Sequence, residues 1–106
     1  MTDLTSDDIS LIVAENLAKI REFQGLNQVE MAEKLHTFQV AYCLSEQGNR
    51  ELNFVNLYSI AVEFGINLNF LFGLSDVRLD PVSRIKHTEN ISKINVRRKR
   101  FTKKKR

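Results

Sequence analysis

The chain has 106 residues, 42% of them hydrophobic, a size and composition that favour one domain with a single core. No apolar run approaches the ~18 to 20 residues that a membrane span requires, and the acidic start MTDLTSDD is unlike a secretion signal. The single cysteine, Cys43, excludes an internal disulfide and leaves no second Cys for a zinc site. We therefore expect a cytoplasmic protein with no metal or other cofactor.

Charge is distributed unevenly along the chain, although the formal net charge is only +3. Residues 97–106, RRKRFTKKKR, hold eight of the 16 Lys and Arg residues. Residues 1–96 therefore carry eight basic and 13 acidic residues, a net charge of −5, and residues 1–73 carry four and ten, a net charge of −6. This acidic body is the opposite of the basic surface typical of a nucleic-acid-binding domain.

Five helices are predicted between residues 5 and 73, because apolar residues recur there at helical spacing between capping residues. The first helix begins with a capping box of Thr5 and Asp8, and the second with an equivalent box of Asn27 and Glu30. The fourth helix is capped by Asn53. The predicted helices occupy residues 5–24, 28–35, about 38–46, 54–64 and about 67–72, with Gly25, Gly48, Gly65 and Gly73 marking their ends.

The composition changes after Gly73. The segment SDVRLDP is typical of a linker, while Asp80-Pro81 is a favourable helix start followed by a loose helical period. This pattern indicates a marginal sixth helix over residues 81–95. Ten residues with eight positive charges are not expected to fold alone, so residues 97–106 are predicted to form a disordered basic tail. No strand-like alternation is present, and the predicted class is all-α.

Three stretches carry a resemblance to a known family: LAKIRE..GLNQVEMAEKL, E.GNR and FGINLNFLFG, with ungapped spacing from Gln28 to Gly48. With these stretches, residues 17–73 resemble the helix-turn-helix family of phage Cro and repressor proteins, also called the XRE family. The resemblance implies a compact five-helix, lambda-repressor-like bundle in residues 1–74, and the composition beyond it assigns 75–96 to a linker and C-terminal helix. It implies a sequence-specific, Cro/CI-type transcriptional regulator or repressor that binds a two-fold operator on double-stranded DNA as a homodimer.

Several residues are expected to hold the predicted helices together. Ala32 is small where helices two and three must cross closely. The resemblance pairs Arg21 with Glu46, and a bidentate ion pair partly removed from water would fix the orientation of the third helix. The predicted core comprises Leu17, Ile20, Met31, Ala32, Leu35, Leu57, Ala61, Phe64 and Leu71.

The resemblance also implies which residues contact DNA. Gln28 matches the position that grips a phosphate at the start of helix two. In helix three, Gln39 is expected to pair with adenine, and Val40 and Leu44 to touch thymine methyl groups. The predicted DNA-binding set, including the basic tail, comprises Asn27, Gln28, Thr37, Phe38, Gln39, Val40, Leu44, Asn49, Arg50, Arg97, Arg98, Lys99 and Arg100.

The turn before helix three departs from the family pattern at two positions. His36 stands where Gly is usual, so it must either adopt the left-handed conformation or alter the turn. Phe38 stands where a Ser or Thr cap is usual, so Thr37 is expected to cap helix three instead and to lengthen it by one residue.

Helix three is also unusual because apolar residues occupy nearly every side of it. Tyr42 and Ser45 take inward positions, while Val40 and Leu44 take outward ones. Such a helix either reads DNA, forms a surface for a protein partner, as an antitoxin holds its toxin, or is buried after a one-residue rotation. In a further alternative, the tail is the only nucleic-acid contact, and it binds DNA or RNA without sequence choice.

Two further expectations concern assembly and catalysis. Phe70, Phe72 and Leu74 supply more apolar surface than a five-helix core would absorb, so dimerisation is expected through NLNFLFGL or the 81–95 helix. The sequence contains no Ser-His-Asp spacing, phosphate-cradling glycine loop or Cys/His cluster, and we expect no enzymatic activity.

Overall fold

The computed structural model describes the backbone of residues 3–104 and the side chains of residues 3–99. Each of the first five helices lies within one residue of its predicted bounds. Within residues 3–104 there is no strand, only an isolated bridge between Ile66 and Leu79, so the all-α class is confirmed. The helices are α1 (Ser6–Phe23), α2 (Gln28–Lys34), α3 (Gln39–Glu46), α4 (Phe54–Phe64), α5 (Leu68–Leu71) and α6 (Val82–Lys104).

The helix starts are fixed by local hydrogen bonds that follow directly from the sequence. The Asp8 amide donates to Thr5 Oγ1 at 3.2 Å, while the Thr5 amide donates to Asp8 Oδ2 at 2.9 Å. Asn27 and Glu30 form the same reciprocal box at the start of α2. These boxes satisfy amides that the first turn of a helix leaves without a partner. Both predicted capping boxes are therefore confirmed.

The core lies where α1, α2 and α3 pack together against α4 and α5. Most of the predicted core residues are buried, whereas Leu57 and Phe64 are half-buried at the edge of the cluster. Among the side chains of residues 3–99, three that are fully buried were absent from the predicted core: Tyr42, Ile60 and Ile66.

The segment between α5 and α6, which the composition indicated to be a linker, is hydrogen-bonded to the connection between α4 and α5. The Asn67 amide donates to the Arg78 carbonyl at 2.8 Å, and the Asp80 amide donates to the Gly65 carbonyl at 2.6 Å. The Arg78 guanidinium stacks on the Phe23 ring, 3.7 Å from its centroid. The start of α6 is therefore held at a fixed place.

Helix α6 is longer than the sequence indicated. It begins at Val82, whose amide donates to Asp80 Oδ1 at 3.2 Å, and it continues to Lys104. The prediction of a helix ending at residue 95 and of a disordered tail over 97–106 is therefore wrong for residues 97–104, and residues 105 and 106 lie outside the described chain. Lys and Arg are strong helix formers, and no Gly or Pro follows Pro81 to end the helix.

Helix α6 runs antiparallel to α4. Arg84 donates from Nε to the Val62 carbonyl at 3.0 Å and from Nη2 to the Glu63 carbonyl at 2.6 Å, at the C-terminal end of α4. One turn further on, His87 Nδ1 lies 2.7 Å from the Tyr58 hydroxyl. The basic end of α6 therefore emerges beside the first turn of α4. None of the helices in residues 3–104 combines the length and hydrophobicity that a bilayer crossing requires.

Candidate nucleic-acid interface

The connection from α2 to α3 turns at His36, which has a φ of 55°. The His36 amide donates to the Glu33 carbonyl at 3.1 Å, and the Thr37 amide donates to the Ala32 carbonyl at 3.0 Å. This pair of hydrogen bonds is the Schellman pattern, which normally places a glycine in the left-handed position. Of the two predicted outcomes, the left-handed conformation is the one observed, at a cost of about 1 to 2 kcal/mol.

Helix α3 begins without a side-chain cap. Phe38 is the N-cap residue, in an extended conformation, and no side chain accepts a hydrogen bond there. The prediction that Thr37 caps the helix and lengthens it by one residue is therefore wrong. The Schellman pattern keeps Thr37 within the end of α2, so the chain enters α3 one residue later.

The orientation of α3 is fixed by its two inward-facing residues. Tyr42 and Ser45 are buried, whereas the side chain of Val40 is 72% exposed and that of Phe38 is 85% exposed. Leu44 is half-buried. The alternative in which a one-residue rotation buries the outer face of α3 is therefore wrong. The first turn of α3 instead presents its side chains to solvent.

Arg21 and Glu46 form the predicted ion pair between α1 and the end of α3. Arg21 Nε donates to Glu46 Oε2 at 2.7 Å, and Arg21 Nη2 donates to Glu46 Oε1 at 3.2 Å. The Arg21 side chain is 19% exposed and that of Glu46 is 7% exposed. Arg21 Nη1 also donates to the Leu26 carbonyl at 3.0 Å, so the guanidinium joins three segments. The pair is bidentate and largely removed from water, as the resemblance implied.

The electrostatics of this pair favour the charged forms. Burial by itself would raise the pKa of Glu46, but Arg21, with smaller contributions from Tyr42 and Gln28, more than offsets burial and lowers it. The hydrogen bond to Glu46 raises the pKa of Arg21. Burial raises the pKa of Tyr42, whose hydroxyl lies beside Glu46 without a well-formed hydrogen bond. The end of α3 is thus held by a buried, charged cluster.

Asn27 and Gln28, the two DNA contacts predicted at the start of α2, form hydrogen bonds within the protein. Asn27 Oδ1 accepts the Glu30 amide at 2.8 Å as the helix cap. Gln28 is half-buried, and its Oε1 accepts the Cys43 thiol at 3.1 Å. The Gln28 amide therefore joins α2 to α3, whereas the resemblance implied a phosphate contact for it.

The exposed surface of α3 is uncharged. Residues 37–45 contain no acidic or basic side chain, and Phe38, Gln39 and Val40 lie together at the exposed start of the helix. Thr37 beside them is half-buried. This surface offers one amide, which both donates and accepts hydrogen bonds, between two apolar side chains. It is suited to contacts with uncharged groups rather than with phosphates.

The other predicted residues lie on two further surfaces. Asn49 and Arg50 are exposed in the connection after α3, where Asn49 Nδ2 donates to Gln47 Oε1 at 3.4 Å. Arg97, Arg98 and Lys99 are exposed on α6. The predicted side chain at Arg100 lies outside the described residues, although its backbone is helical. Arg97 borders a groove that also contains Phe54, the first residue of α4.

Three contacts around this region were not predicted: Arg84 at the end of α4, the Tyr58–His87 hydrogen bond and the Cys43–Gln28 hydrogen bond. Each joins helices whose relative placement depends on a connection rather than on a local pattern. The Asp80-Pro81 helix start was the one sequence signal that anticipated the position of Arg84.

Comparison with known proteins gives no relative for this chain, since no family model, curated protein or solved structure matches it significantly.

Proposed function

We propose that this protein is a sequence-specific DNA-binding regulator of transcription, a helix-turn-helix protein of the Cro and phage-repressor type with a lambda-repressor-like arrangement. It acts in the cytoplasm as a homodimer on a two-fold operator. The main support for the proposal is the orientation of α3. Its inner side is held by Tyr42, Ser45 and the Arg21–Glu46 pair, while its first turn faces solvent.

The chemistry of the first turn of α3 suits base edges in the major groove, which is wide enough to admit a helix. Gln39 carries the amide that pairs bidentately with adenine, and Val40 and Phe38 offer apolar contact to thymine methyl groups. The high exposure of the two apolar side chains is explained by this role. The half-buried Leu44 reaches only the edge of such a contact.

Attraction to phosphates must come from elsewhere, because residues 1–96 have a net charge of −5. Arg50 lies in the 47–53 connection after α3, and the basic end of α6 emerges beside the first turn of α4, which follows that connection. In the proposed complex these groups lie along the backbone and supply affinity without sequence choice. Base contacts and phosphate contacts are therefore made by different segments of the chain.

The proposal is tested by selecting bound sequences from a random duplex pool and measuring the selected duplex against variants at single positions. Replacing Gln39→Ala is expected to cost about 1 to 3 kcal/mol on the selected duplex and to relax the preference at one base pair. Gln24→Ala is the matched control, because Gln24 is an exposed amide at the end of α1, outside α3 and the 47–53 connection. Absence of any enriched sequence, or equal losses from both variants, would contradict the proposal.

A second candidate is an antitoxin-like module whose α3 surface holds a protein. The observation that favours it is an apolar side chain at Phe38 with 85% exposure on a body of negative charge. A stoichiometric protein partner that is released by Phe38→Ser, together with no salt-dependent affinity for duplex DNA, would support this alternative over the first.

A further inference from the structure

A broad apolar groove lies between α4 and α6. Its cavity volume is about 820 Å³, and Phe54, Val55, Tyr58, Ile91 and Ile94 line it. The Phe54 side chain is 82% exposed, and the two isoleucines of α6 remain exposed although they face α4. Helix α6 therefore leaves unburied the apolar surface that a packed helix would cover.

The border of this groove is positive. Lys93 and Arg97 lie along it with His87 and Asn90, and none of its lining residues is acidic. Helix α6 as a whole carries nine Lys and Arg residues against one acidic residue, Glu89. An occupant that covers the apolar floor must therefore have acidic flanks, because unpaired like charges at a contact oppose association.

The chain itself carries a surface with this character on the outer side of α1. Leu11 is exposed and shares one stripe of the helix with Asp8, Glu15 and Glu22, and the exposed Leu4 lies just before the helix. Lys19 is the basic residue beside this stripe, where it pairs with Glu15 at 3.4 Å. The outer face of α1 thus offers apolar side chains between carboxylates, which is the complement of the groove.

We propose that the α4–α6 groove binds the outer face of α1 from a second copy of this chain. Joining two copies groove to groove is the less favourable arrangement, because a two-fold contact would place Lys93 and Arg97 on both sides of it. Reciprocal insertion, in which each α1 lies in the other copy's groove, buries both apolar surfaces and pairs both sets of charges. The inference deepens the dimer of the proposed function, but it does not depend on DNA binding.

The test is a charge exchange followed by sedimentation velocity of the full chain without DNA. The groove variant is Asn90→Glu with Lys93→Glu, and the α1 variant is Glu15→Lys with Glu22→Lys. Each variant alone is expected to raise the dissociation constant of self-association by about tenfold or more. Loss of the exposed Glu15–Lys19 pair has little effect on folding, and circular dichroism and thermal melting verify that both variants are folded.

Mixing the two variants is the decisive step. A mixed pair contains one contact with both charges exchanged and one unchanged contact, so association is expected to return. The controls, Lys86→Glu on α6 and Glu33→Lys on α2, each reverse one charge outside both surfaces and should leave association unchanged.

Three results would overturn the proposal. One is a chain that remains monomeric at high micromolar concentration, and another is association that the α1 variant does not weaken. The third is a mixture of the two weakened variants that does not associate. In the second case, loss of association in Val55→Ser and Ile94→Ser would show that the groove pairs with itself. Every one of these measurements is made without DNA, so their outcome is distinct from a failure of operator binding.

Discussion

The Arg21–Glu46 pair can be tested by a double-mutant cycle, because its geometry predicts a coupling larger than that of a surface pair. The single variants Arg21→Gln and Glu46→Gln each leave one charge without its partner, and the double variant removes both charges. Removing one partner of a buried pair is costly because the remaining charge stays in a poorly solvated place. We therefore expect the unfolding free energies lost in the two single variants to add up to more than the loss in the double variant.

The size of the coupling follows from the two hydrogen bonds at 2.7 and 3.2 Å. Hydrogen bonds to charged groups contribute about 1.5 to 3 kcal/mol each. Ordering a long side chain costs about 1.5 to 2 kcal/mol, but Gln costs about as much as Arg or Glu, so this cost cancels in the cycle. The two hydrogen bonds, reduced for the 19% exposure of Arg21, therefore give an expected coupling free energy of about 2 kcal/mol or more.

The assay is urea unfolding of the four proteins at neutral pH, followed by circular dichroism. Lys34 and Glu63 provide an internal control, because their side chains are 3.9 Å apart and 52% and 45% exposed. The same cycle on that pair should give the ~0.2 to 1 kcal/mol of an exposed pair. If the Arg21–Glu46 coupling does not exceed the Lys34–Glu63 coupling, the argument from burial and bidentate geometry is refuted.

The same pair gives stability a dependence on pH. The folded-state pKa of Glu46 lies below its ordinary value of 4.5, so the unfolded chain takes up a proton there first as the pH falls. The stability that the carboxylate contributes is therefore present above 4.5 and is lost as the pH falls through the folded-state pKa. The difference in unfolding free energy between the native chain and Glu46→Gln should shrink over that acid range, and a constant difference would contradict the prediction.

Three further predictions concern the α2–α3 crossing, the turn and the end of α6. Ala32→Leu should destabilise the chain by about 1 to 3 kcal/mol through overpacking, and an unchanged melting midpoint would show that the close crossing is absent. His36→Gly should leave the fold intact and raise the unfolding free energy by up to about 1 kcal/mol, since it removes left-handed strain, whereas a loss of stability would contradict this. Deleting residues 98–106, which leaves Arg97 of the α4–α6 groove in place, should weaken binding to all duplexes alike and reduce the slope of log affinity against log salt by about 3 to 4. An unchanged slope would show that the basic end of α6 does not contact DNA.

The sequence by itself determined the all-α class and the bounds of the first five helices. This was possible because the signals are local: Thr5 with Asp8 and Asn27 with Glu30 form their capping boxes within a single turn. Inward residues of α1 and α2 were also identified, since a 3.6-residue period places them on one face whatever lies opposite. The Arg21–Glu46 pair was anticipated from the resemblance rather than from a local pattern.

The tertiary structure alone decided how the segments meet. Ile66 is buried because the 75–80 segment returns along it, and that return is invisible in a helical period. Gln28 looks free at the start of a helix, but the placement of α3 brings Cys43 within reach of its amide. The groove between α4 and α6 exists because Arg84 and His87 fix α6 against α4 while Ile91 and Ile94 stay uncovered. Contacts across such long separations depend on the paths of the connections, and no short stretch of sequence encodes them.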